Sequence, residues 1–321
     1  MNYLAEDWFD GGQQEATRLG FGRGLVEVAR RDERIVALSA DLTDSVGFGD
    51  FQREFGHRYV EVGVAEQNLV TVASGVASMG FVPFAGSYSV FSPGRNWEQI
   101  RTTICINNQP VKIVGSHTGL NVGPDGATHQ MLEDIALMRV LPNMVVLAPG
   151  DGHEAFKMAE AMSKDSRPNY VRLAREKSPI WTNLEAPFEI GRAYVLAEGS
   201  DICLLGTGTM TYQLLLASRE LLAIGIQAEV VHVPTIKPLD KTTILASIEK
   251  CGRAITLEEA QVAGGFGSSI AELVAETTPL PVKRMGVDDK YGESGKANEL
   301  LDKYGLNYRN IVEVVKEFMV K

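Results

Sequence analysis

The chain has 321 residues, of which 45% are hydrophobic and 22% are charged. This composition is typical of a globular protein with room for two domains of about 150 residues, and not of a disordered or fibrous chain. The net charge of −10, with no basic stretch to interrupt it, argues against a nucleic-acid partner. No run of about 18 apolar residues is present, so the sequence predicts no membrane span.

The cysteines and the N-terminal residues bear on the cellular compartment. Cys105, Cys203 and Cys251 are far apart, odd in number and without metal-like spacing, which is typical of free thiols in a reducing compartment. The first 18 residues contain acidic side chains and no apolar segment, unlike a secretory signal. We therefore expect a cytoplasmic protein.

Short β-branched strands alternate with amphipathic helices over the first half of the chain. Near-continuous apolar strands separated by helices predict a parallel sheet that is covered by helices on both faces. Asn96 and Asp151 are typical N-cap residues, each just before a predicted helix. The predicted strands are 35–41, 59–65, 81–87, 111–117, 144–149 and 169–174, and the predicted helices are 15–31, 66–79, 96–108, 131–140 and 151–164.

The segment 176–191 interrupts this alternation with two prolines and no clear period, which predicts a linker. We place the boundary at 185, between a first α/β domain over 1–185 and a smaller α/β domain over 186–321. In the second domain the predicted strands are 192–197, 201–208, 228–234, 253–260 and 281–287, and the predicted helices lie around 210–224, 240–250, 265–276 and 307–320.

Glu66 is the first candidate for chemistry, because it stands where a predicted strand turns into a helix rich in small residues. Two interpretations are open from this pattern alone. An acid at a helix N-terminus is favoured by the helix dipole, without any function. However, open α/β sheets bind ligands at the carboxyl ends of their strands, and Glu66 is predicted to lie there.

An aromatic cluster and a polar loop follow. Phe84, Tyr88 and Phe91 lie within eight positions at a strand exit, where rings belong either to the core or to a surface that stacks on a flat heterocycle. The stretch 116–134 is a glycine-containing loop that carries His117, Asp125 and His129. Its histidine spacing fits no common metal signature, so we predict ligand positioning and no metal site.

Taken together, these stretches resemble transketolase, from its pyrimidine-binding domain to its C-terminal domain. The motif GPDGATHQ (123–130) is the most specific part of the resemblance, because it separates transketolases from the β chains of keto-acid dehydrogenases. The other landmarks occur in family order: ATR (16–18), SADLTDS (39–45), the segment around Glu66, the aromatic cluster and PNYVRLAR (168–175).

The resemblance implies thiamine diphosphate as the cofactor and assigns roles to residues around it. Glu66 would bond to N1′ of the aminopyrimidine and stabilise the imino form that activates the thiazolium carbon. Phe91, helped by Tyr88, would stack on the pyrimidine ring, and Asp41 would lie near the cofactor. His129 would act near the reacting carbons as a proton-transfer or hydrogen-bonding group.

The resemblance also implies a site for sugar phosphates. Asp125 would bind a sugar hydroxyl, and charge-assisted bonds from arginine and histidine would suit a phosphate dianion. The residues expected around the phosphate are Arg18, Ser45, His117 and Arg175.

In the family, a preceding domain binds the diphosphate and its metal through G-D-G and a later asparagine. Gly150-Asp151-Gly152 with Asn183 imitates that pattern here, but it follows the polar loop, where the family has an ordinary turn. We therefore expect no metal on this chain. A separate N-terminal transketolase subunit would hold Mg²⁺ or Ca²⁺, in a heterotetramer with two copies of each chain.

Three other interpretations remain open at this point. One is chemistry like that of deoxyxylulose-phosphate synthase, although Asp125 and His129 favour ketol transfer. Another is a specialised sugar transketolase that acts on unusual ketoses. A non-catalytic scaffold relative would keep the fold without the activity. In the second domain, the GGFG stretch (264–267) precedes a helix and suggests either an anion site or close packing between subunits.

Overall fold

The computed structural model describes residues 3–9 and 12–320. The strands in chain order are β1 (Gln14–Glu15), β2 (Ile35–Ser39), β3 (Tyr59–Glu61), β4 (Val82–Tyr88), β5 (Lys112–Ser116), β6 (Val145–Leu147), β7 (Asn169–Arg172), β8 (Ser178–Pro179), β9 (Tyr194–Ala197), β10 (Ile202–Gly206), β11 (Ala228–His232), β12 (Thr235–Lys237), β13 (Ala254–Gln261) and β14 (Val282–Val287).

Each predicted helix has a helical segment at its position. The helices are α1 (Thr17–Arg31), α2 (Gly49–Glu54), α3 (Glu66–Ser78), α4 (Trp97–Gln99), α5 (Asp134–Arg139), α6 (Gly152–Lys164), α7 (Thr211–Ala223), α8 (Lys241–Cys251), α9 (Phe266–Thr277), α10 (Ala297–Lys303) and α11 (Tyr308–Val320). Of these, α2 and α10 are two short helices that were not predicted. The short helix α4 continues as a π-helix over Ile100–Cys105. None of the helices within 3–9 and 12–320 is long and apolar enough to cross a bilayer.

The first large sheet has the strand order β12-β6-β7-β5-β4-β2-β3. All of its pairs are parallel except that of β12 with β6. The predicted parallel sheet is thus confirmed. Strand β12 is not among the predicted strands: it has three residues, comes from the second half of the chain and adds antiparallel to the edge of the first sheet.

Two apolar clusters cover the two faces of this sheet, because alternate residues of a strand point to opposite faces. On one face, Ile35 and Ala37 of β2 pack with α1, α2 and α6. On the other face, Val36 and Leu38 of the same strand pack with α3 and α5. The predicted arrangement of helices on both faces is confirmed.

The second large sheet has the order β14-β13-β10-β11-β9 and is parallel apart from β9. The apolar cluster that contains Leu38 continues into this part of the chain through Leu205 and Val231. A separate cluster lies between the sheet and α7, α10 and α11. The two sheets therefore share one continuous core.

The segment 176–191, which is predicted to be a linker, is paired and partly buried. Its residues Ser178 and Pro179 pair with β1, and Trp181 is fully buried. A large apolar side chain in this position ties the segment to the core, since burying it removes much apolar surface from water. The segment connects the two sheets in a fixed path, while the boundary at 185 stays a prediction.

Candidate functional site

Five neighbouring parallel strands of the first sheet end at one edge of the molecule. Each ends at, or is closely followed by, a residue that the resemblance assigns to cofactor or substrate. Because the carboxyl ends of parallel strands meet at the same edge, residues far apart in sequence become neighbours there. In the spatial order β7, β5, β4, β2 and β3, these residues are Arg175, His117, Tyr88, Asp41 and Glu66. We call this set the site edge.

Glu66 is the first residue of α3, and only 2% of its surface is exposed. Nη1 of Arg95 lies 2.8 Å from its Oε2 atom and forms an ion pair with it. The Arg95 guanidinium also lies 4.8 Å over the ring centre of Phe91. A buried carboxylate beside an aromatic face is thus present, and sequence reasoning missed the arginine that bridges the two.

Asn96 does not cap the helix that follows it, contrary to the prediction. Helix α4 begins at Trp97, but the Asn96 side chain makes no capping bond. Its Nδ2 atom instead donates to the carbonyl oxygen of Glu66 at 2.7 Å and to Oγ of Ser92 at 3.1 Å. The Asn96 side chain therefore bonds to the main chain of Glu66 instead of capping α4, and this bond holds the main chain at Glu66.

The aromatic cluster consists of one ring in the core and two rings that are half-buried. Phe84 is fully buried in the core. The Tyr88 ring stacks on His117 with 3.8 Å between ring centres, and on Phe91 at 6.0 Å. The His129 ring stands edge-on to Phe91 at 5.7 Å. Four of the predicted site side chains therefore form one group of rings.

His117 is held in a specific orientation. Its φ of 55° is in the left-handed region, and Oγ of Ser116 lies 2.9 Å from its Nδ1 atom. Burial, together with the charges of Arg18 and Arg175, lowers the pKa of His117 to about 3. The imidazole is therefore neutral near neutral pH. Burial thus disfavours the charged form that a charge-assisted bond to a phosphate would use, and the role of His117 at a phosphate stays a prediction.

Two arginines supply the positive charge beside His117. Nη1 of Arg18 donates to the carbonyl oxygen of Ser45 at 3.3 Å, and Nε donates to that of Arg175 at 3.3 Å. Nη1 of Arg175 lies 3.5 Å from the Asp125 carboxylate. Arg18, Ser45, His117, Asp125 and Arg175 thus occupy one continuous region, although Ser45 contributes its carbonyl group and not its hydroxyl in these contacts.

Asp41 is exposed and adopts a left-handed φ of 60° at the end of β2. Its N–H group donates to the Glu61 carboxylate at 2.8 Å, and Gly63 N–H donates to the same oxygen at 2.8 Å. Glu61 therefore connects the turn after β2 with the turn that leads to Glu66. Sequence reasoning missed Glu61, since a carboxylate at the end of a short strand carries no local signal of that role.

The Gly150-Asp151-Gly152 motif is a structural turn. The Asp151 carboxylate is fully buried and accepts bonds from the N–H groups of Glu154, Trp181 and Thr182 and from the Thr182 hydroxyl. Its bond to Glu154 N–H caps α6 as predicted. Within 3–9 and 12–320, no group of three or more histidines, cysteines and acidic residues is placed to hold a metal ion.

The glycines at 264–267 lie at the start of α9, where a free anion site was one interpretation. The Glu258 carboxylate already accepts bonds from the N–H groups of Phe266 and Gly267, at 2.7 and 2.8 Å. A side chain at Gly265 would collide with that carboxylate. The helix N-terminus therefore binds an acid of its own chain, which the linear motif does not reveal.

Comparison with known proteins identifies the family. The family models described as "Transketolase, pyrimidine binding domain" and "Transketolase, C-terminal domain" match residues 13–179 and 191–311. The chain belongs to the transketolase family, whose members depend on thiamine diphosphate. The predicted resemblance is confirmed, and the chain is of the transketolase type of transferase, as a subunit.

Individual relatives have nearly the same length. A "Putative transketolase C-terminal section" of Methanocaldococcus jannaschii is 40% identical over 97% of this chain and 98% of its own. The "6-deoxy-6-sulfo-D-fructose transketolase subunit SqwH" of a Clostridium species is 38% identical over 91% of each chain. A solved "Split gene transketolase, inactive beta4 tetramer" has a TM-score of 0.89 at 41% identity, over 95% of this chain and 98% of its own.

Proposed function

We propose that this chain forms the pyrimidine-binding half of an active site that transfers a two-carbon ketol unit from a ketose phosphate to an aldose phosphate. The site edge carries the proposal. Five adjacent strands present a buried carboxylate, aromatic rings, a neutral imidazole and an arginine on one side of the sheet. This set combines groups for a flat heterocycle with groups for an anionic sugar.

The residues present fit the aminopyrimidine end of thiamine diphosphate. Glu66 offers a buried carboxylate as a hydrogen-bond partner for a ring nitrogen, and Phe91 and Tyr88 offer ring faces next to it. Asp41 follows β2, which lies between the strand that ends at Tyr88 and the strand that precedes Glu66, and it would lie near the same group. When bound, the cofactor would supply the electron sink that allows the carbon–carbon bond of a ketose to break.

The neighbouring polar groups fit the substrate. Arg18 and Arg175 carry the charge that would attract a phosphate dianion, with Ser45 and the neutral His117 as hydrogen-bonding groups beside them. Asp125 would accept a bond from a sugar hydroxyl. His129, edge-on to the aromatic rings, would give or take a proton at the reacting carbons.

A second chain would complete the site. We propose an N-terminal transketolase subunit that holds the diphosphate and Mg²⁺ or Ca²⁺, in a cytoplasmic heterotetramer with two copies of each chain. Two observations support this. Relatives of matching length are named as a section or a subunit, and the similar split-gene protein is described as an inactive β4 tetramer. The three cysteines are free and buried, as expected in a reducing compartment.

The test is reconstitution. The purified chain and the diphosphate-binding chain of a neighbouring reading frame are assayed separately and mixed, with thiamine diphosphate, Mg²⁺, xylulose 5-phosphate and ribose 5-phosphate. We expect ketol transfer from the mixture alone. Transfer by the isolated chain would contradict the two-subunit proposal.

A specialised sugar substrate is the second candidate, because one relative is named for 6-deoxy-6-sulfo-D-fructose. Replacing the donor with sulfo-, deoxy- and unphosphorylated ketoses in the same mixture distinguishes this case. Release of CO₂ from pyruvate would instead indicate deoxyxylulose-phosphate synthase chemistry. If no substrate is turned over and a Glu66→Ala variant behaves identically, a scaffold role is favoured.

A further inference from the structure

The polar loop at residues 117–130, which we call the histidine loop, carries three of the proposed substrate residues: His117, Asp125 and His129. Its backbone contains Gly119, Gly123 and Gly126, all with φ near 73°. Such glycines impose little conformational preference, so their ordering has an entropic cost that other contacts must offset. Contacts from other parts of the chain must therefore hold this loop in place.

One contact comes from the far end of β13, in the second half of the chain. The Glu259 carboxylate, 4% exposed, accepts bonds from the main-chain N–H groups of Leu120 and Asn121. A side chain at Gly119 would collide with the same carboxylate. Hydrogen bonds to a charged group stabilise more than neutral ones, especially away from water. Glu259 thus fixes the loop three and four residues after His117.

A second contact comes from the segment before α10. Nε2 of Gln130 donates to the carbonyl oxygen of Glu293 at 2.9 Å and to that of Gly123 at 3.3 Å. Ser294 lies directly against Gly126, where no side chain would fit. The turn that contains Asp125 is therefore contacted by a second segment from the second half of the chain.

The anchor is itself rigid. Nη2 of Arg172, on β7, donates to the main-chain oxygen of Glu259 at 3.1 Å. Nε of the same guanidinium bonds to Asp134 at 2.9 Å, and the Tyr170 hydroxyl bonds to Asp134 at 2.7 Å. All four residues are nearly or fully buried. One buried network thus joins β7, α5 and β13 beneath the histidine loop.

We infer that Glu259 is a positioning residue for the substrate, acting through the N–H groups of Leu120 and Asn121 to hold the loop that carries Asp125 and His129. The inference rests on the proposed function for its catalytic consequence, but its structural part concerns the loop alone. It assigns the second half of the chain a direct effect on the site edge, which lies wholly on the first sheet.

Glu258 provides a matched control. It neighbours Glu259 on β13, is equally buried, and gives its carboxylate bonds to the N–H groups of Phe266 and Gly267 instead of the histidine loop. Burial raises the pKa of each of these two carboxyl groups to about 7. Glu259→Gln and Glu258→Gln therefore replace comparable buried carboxyl groups and differ in the main-chain partners whose bonds are weakened.

The experiment measures hydrogen exchange on the full chain and steady-state kinetics on the reconstituted complex. In Glu259→Gln we expect amide exchange over 119–130 to speed up by about tenfold, the effect of losing one charge-assisted bond. The KM for the sugar phosphate should rise by about tenfold, with kcat changed less than about threefold. Gln130→Met, which breaks the tie to Glu293, should give the same pattern.

Glu258→Gln should leave both the loop exchange and the KM at wild-type values. If Glu259→Gln and Gln130→Met change stability alone, with loop exchange and KM like those of Glu258→Gln, the positioning role is overturned. If loop exchange increases as expected but no sugar phosphate is turned over by the wild-type complex, the proposed function fails and the positioning of the loop stands.

Discussion

Two polar regions of this molecule contain the same kinds of side chain and differ in how far those side chains are exposed. At the site edge, Glu66 is paired with an arginine that is half exposed, and the rings around His117 are only half-buried. Around Glu154, on α6, the carboxylate bonds to Gly150 N–H at 2.6 Å, to Nε2 of His232 at 2.9 Å and to the Tyr3 hydroxyl. We call the second group the Glu154 network.

The two regions differ in whether their polar groups are accessible to a ligand. In the Glu154 network both Glu154 and His232 are fully buried, and the other ring nitrogen of His232 bonds to Thr211 at 2.7 Å. Burial would raise the pKa of Glu154, but His232, Tyr3 and the Gly150 N–H group outweigh it and lower the value. We therefore expect changes in the network to affect stability, and changes at the site edge to affect activity.

The largest expected effect is at Glu66. Glu66→Ala in the reconstituted complex should lower kcat by about a thousandfold, within the range for a lost proton-transfer partner. Stability should change little, because Arg95 is half exposed and water can solvate it once the ion pair is gone. Glu98→Ala, which removes an exposed acid from the adjacent helix α4, is the control. An unchanged kcat in Glu66→Ala would support a scaffold role.

Glu154→Ala should have the opposite profile. Its removal leaves the buried His232 and Tyr3 without their shared partner, so we expect the free energy of unfolding to fall by about 3–5 kcal/mol. Denaturant unfolding near neutral pH measures this change. The KM of the protein that remains folded should stay at the wild-type value. If Glu154→Ala lost activity but kept its stability, the Glu154 network would act in catalysis, contrary to this prediction.

His117 gives the site edge a pH dependence. Its pKa is about 3 in the folded chain and about 6.5 when unfolded, so on acidification the unfolded chain binds the proton first. The stability that this difference supplies is present above about pH 6.5 and is lost as the pH falls toward 3. Between about pH 7 and pH 5, the free energy of unfolding of the wild type should fall by about 2 kcal/mol more than that of His117→Asn, as measured by denaturant unfolding at each pH.

The control for this prediction is His57→Asn, since His57 is exposed. It should leave the pH dependence of unfolding at its wild-type form. If His117→Asn shows the same acid sensitivity as the wild type, the imidazole is not held neutral by its surroundings, and His117 would be available as a cation for a phosphate group.

The smallest expected effect concerns Arg95. Its guanidinium contacts both Glu66 and the face of Phe91, the two groups proposed to bind the aminopyrimidine. Arg95→Ala should lower the dissociation constant for thiamine diphosphate by about 3–10-fold, because the cofactor no longer displaces those contacts. Calorimetric titration of the complex measures it, with the exposed Arg101→Ala as the control. Weaker binding would show that Arg95 contacts the cofactor.

Local patterns were sufficient where a residue acts through its own neighbours in sequence. Asp151 caps α6 as its position predicts, and the apolar strands pair in parallel as their composition predicts. Asn96 shows the limit of this reasoning. Its sequence position is that of a cap, but its amide bonds to the main chain of Glu66, thirty residues earlier. A capping rule uses only neighbouring residues, so it does not include a distant main-chain group that competes for the same side-chain amide.

The sequence by itself determined the fold class and the family, because apolar periodicity and an ordered set of motifs are local properties. It also named the residues that meet at the site edge, and their roles stay predictions. Only the tertiary structure decided three other features. It brings Arg95 onto Glu66, makes His117 neutral, and anchors the histidine loop to Glu259. Each depends on burial or on contact between distant segments, and the strength of polar interactions is set by that environment rather than by residue type.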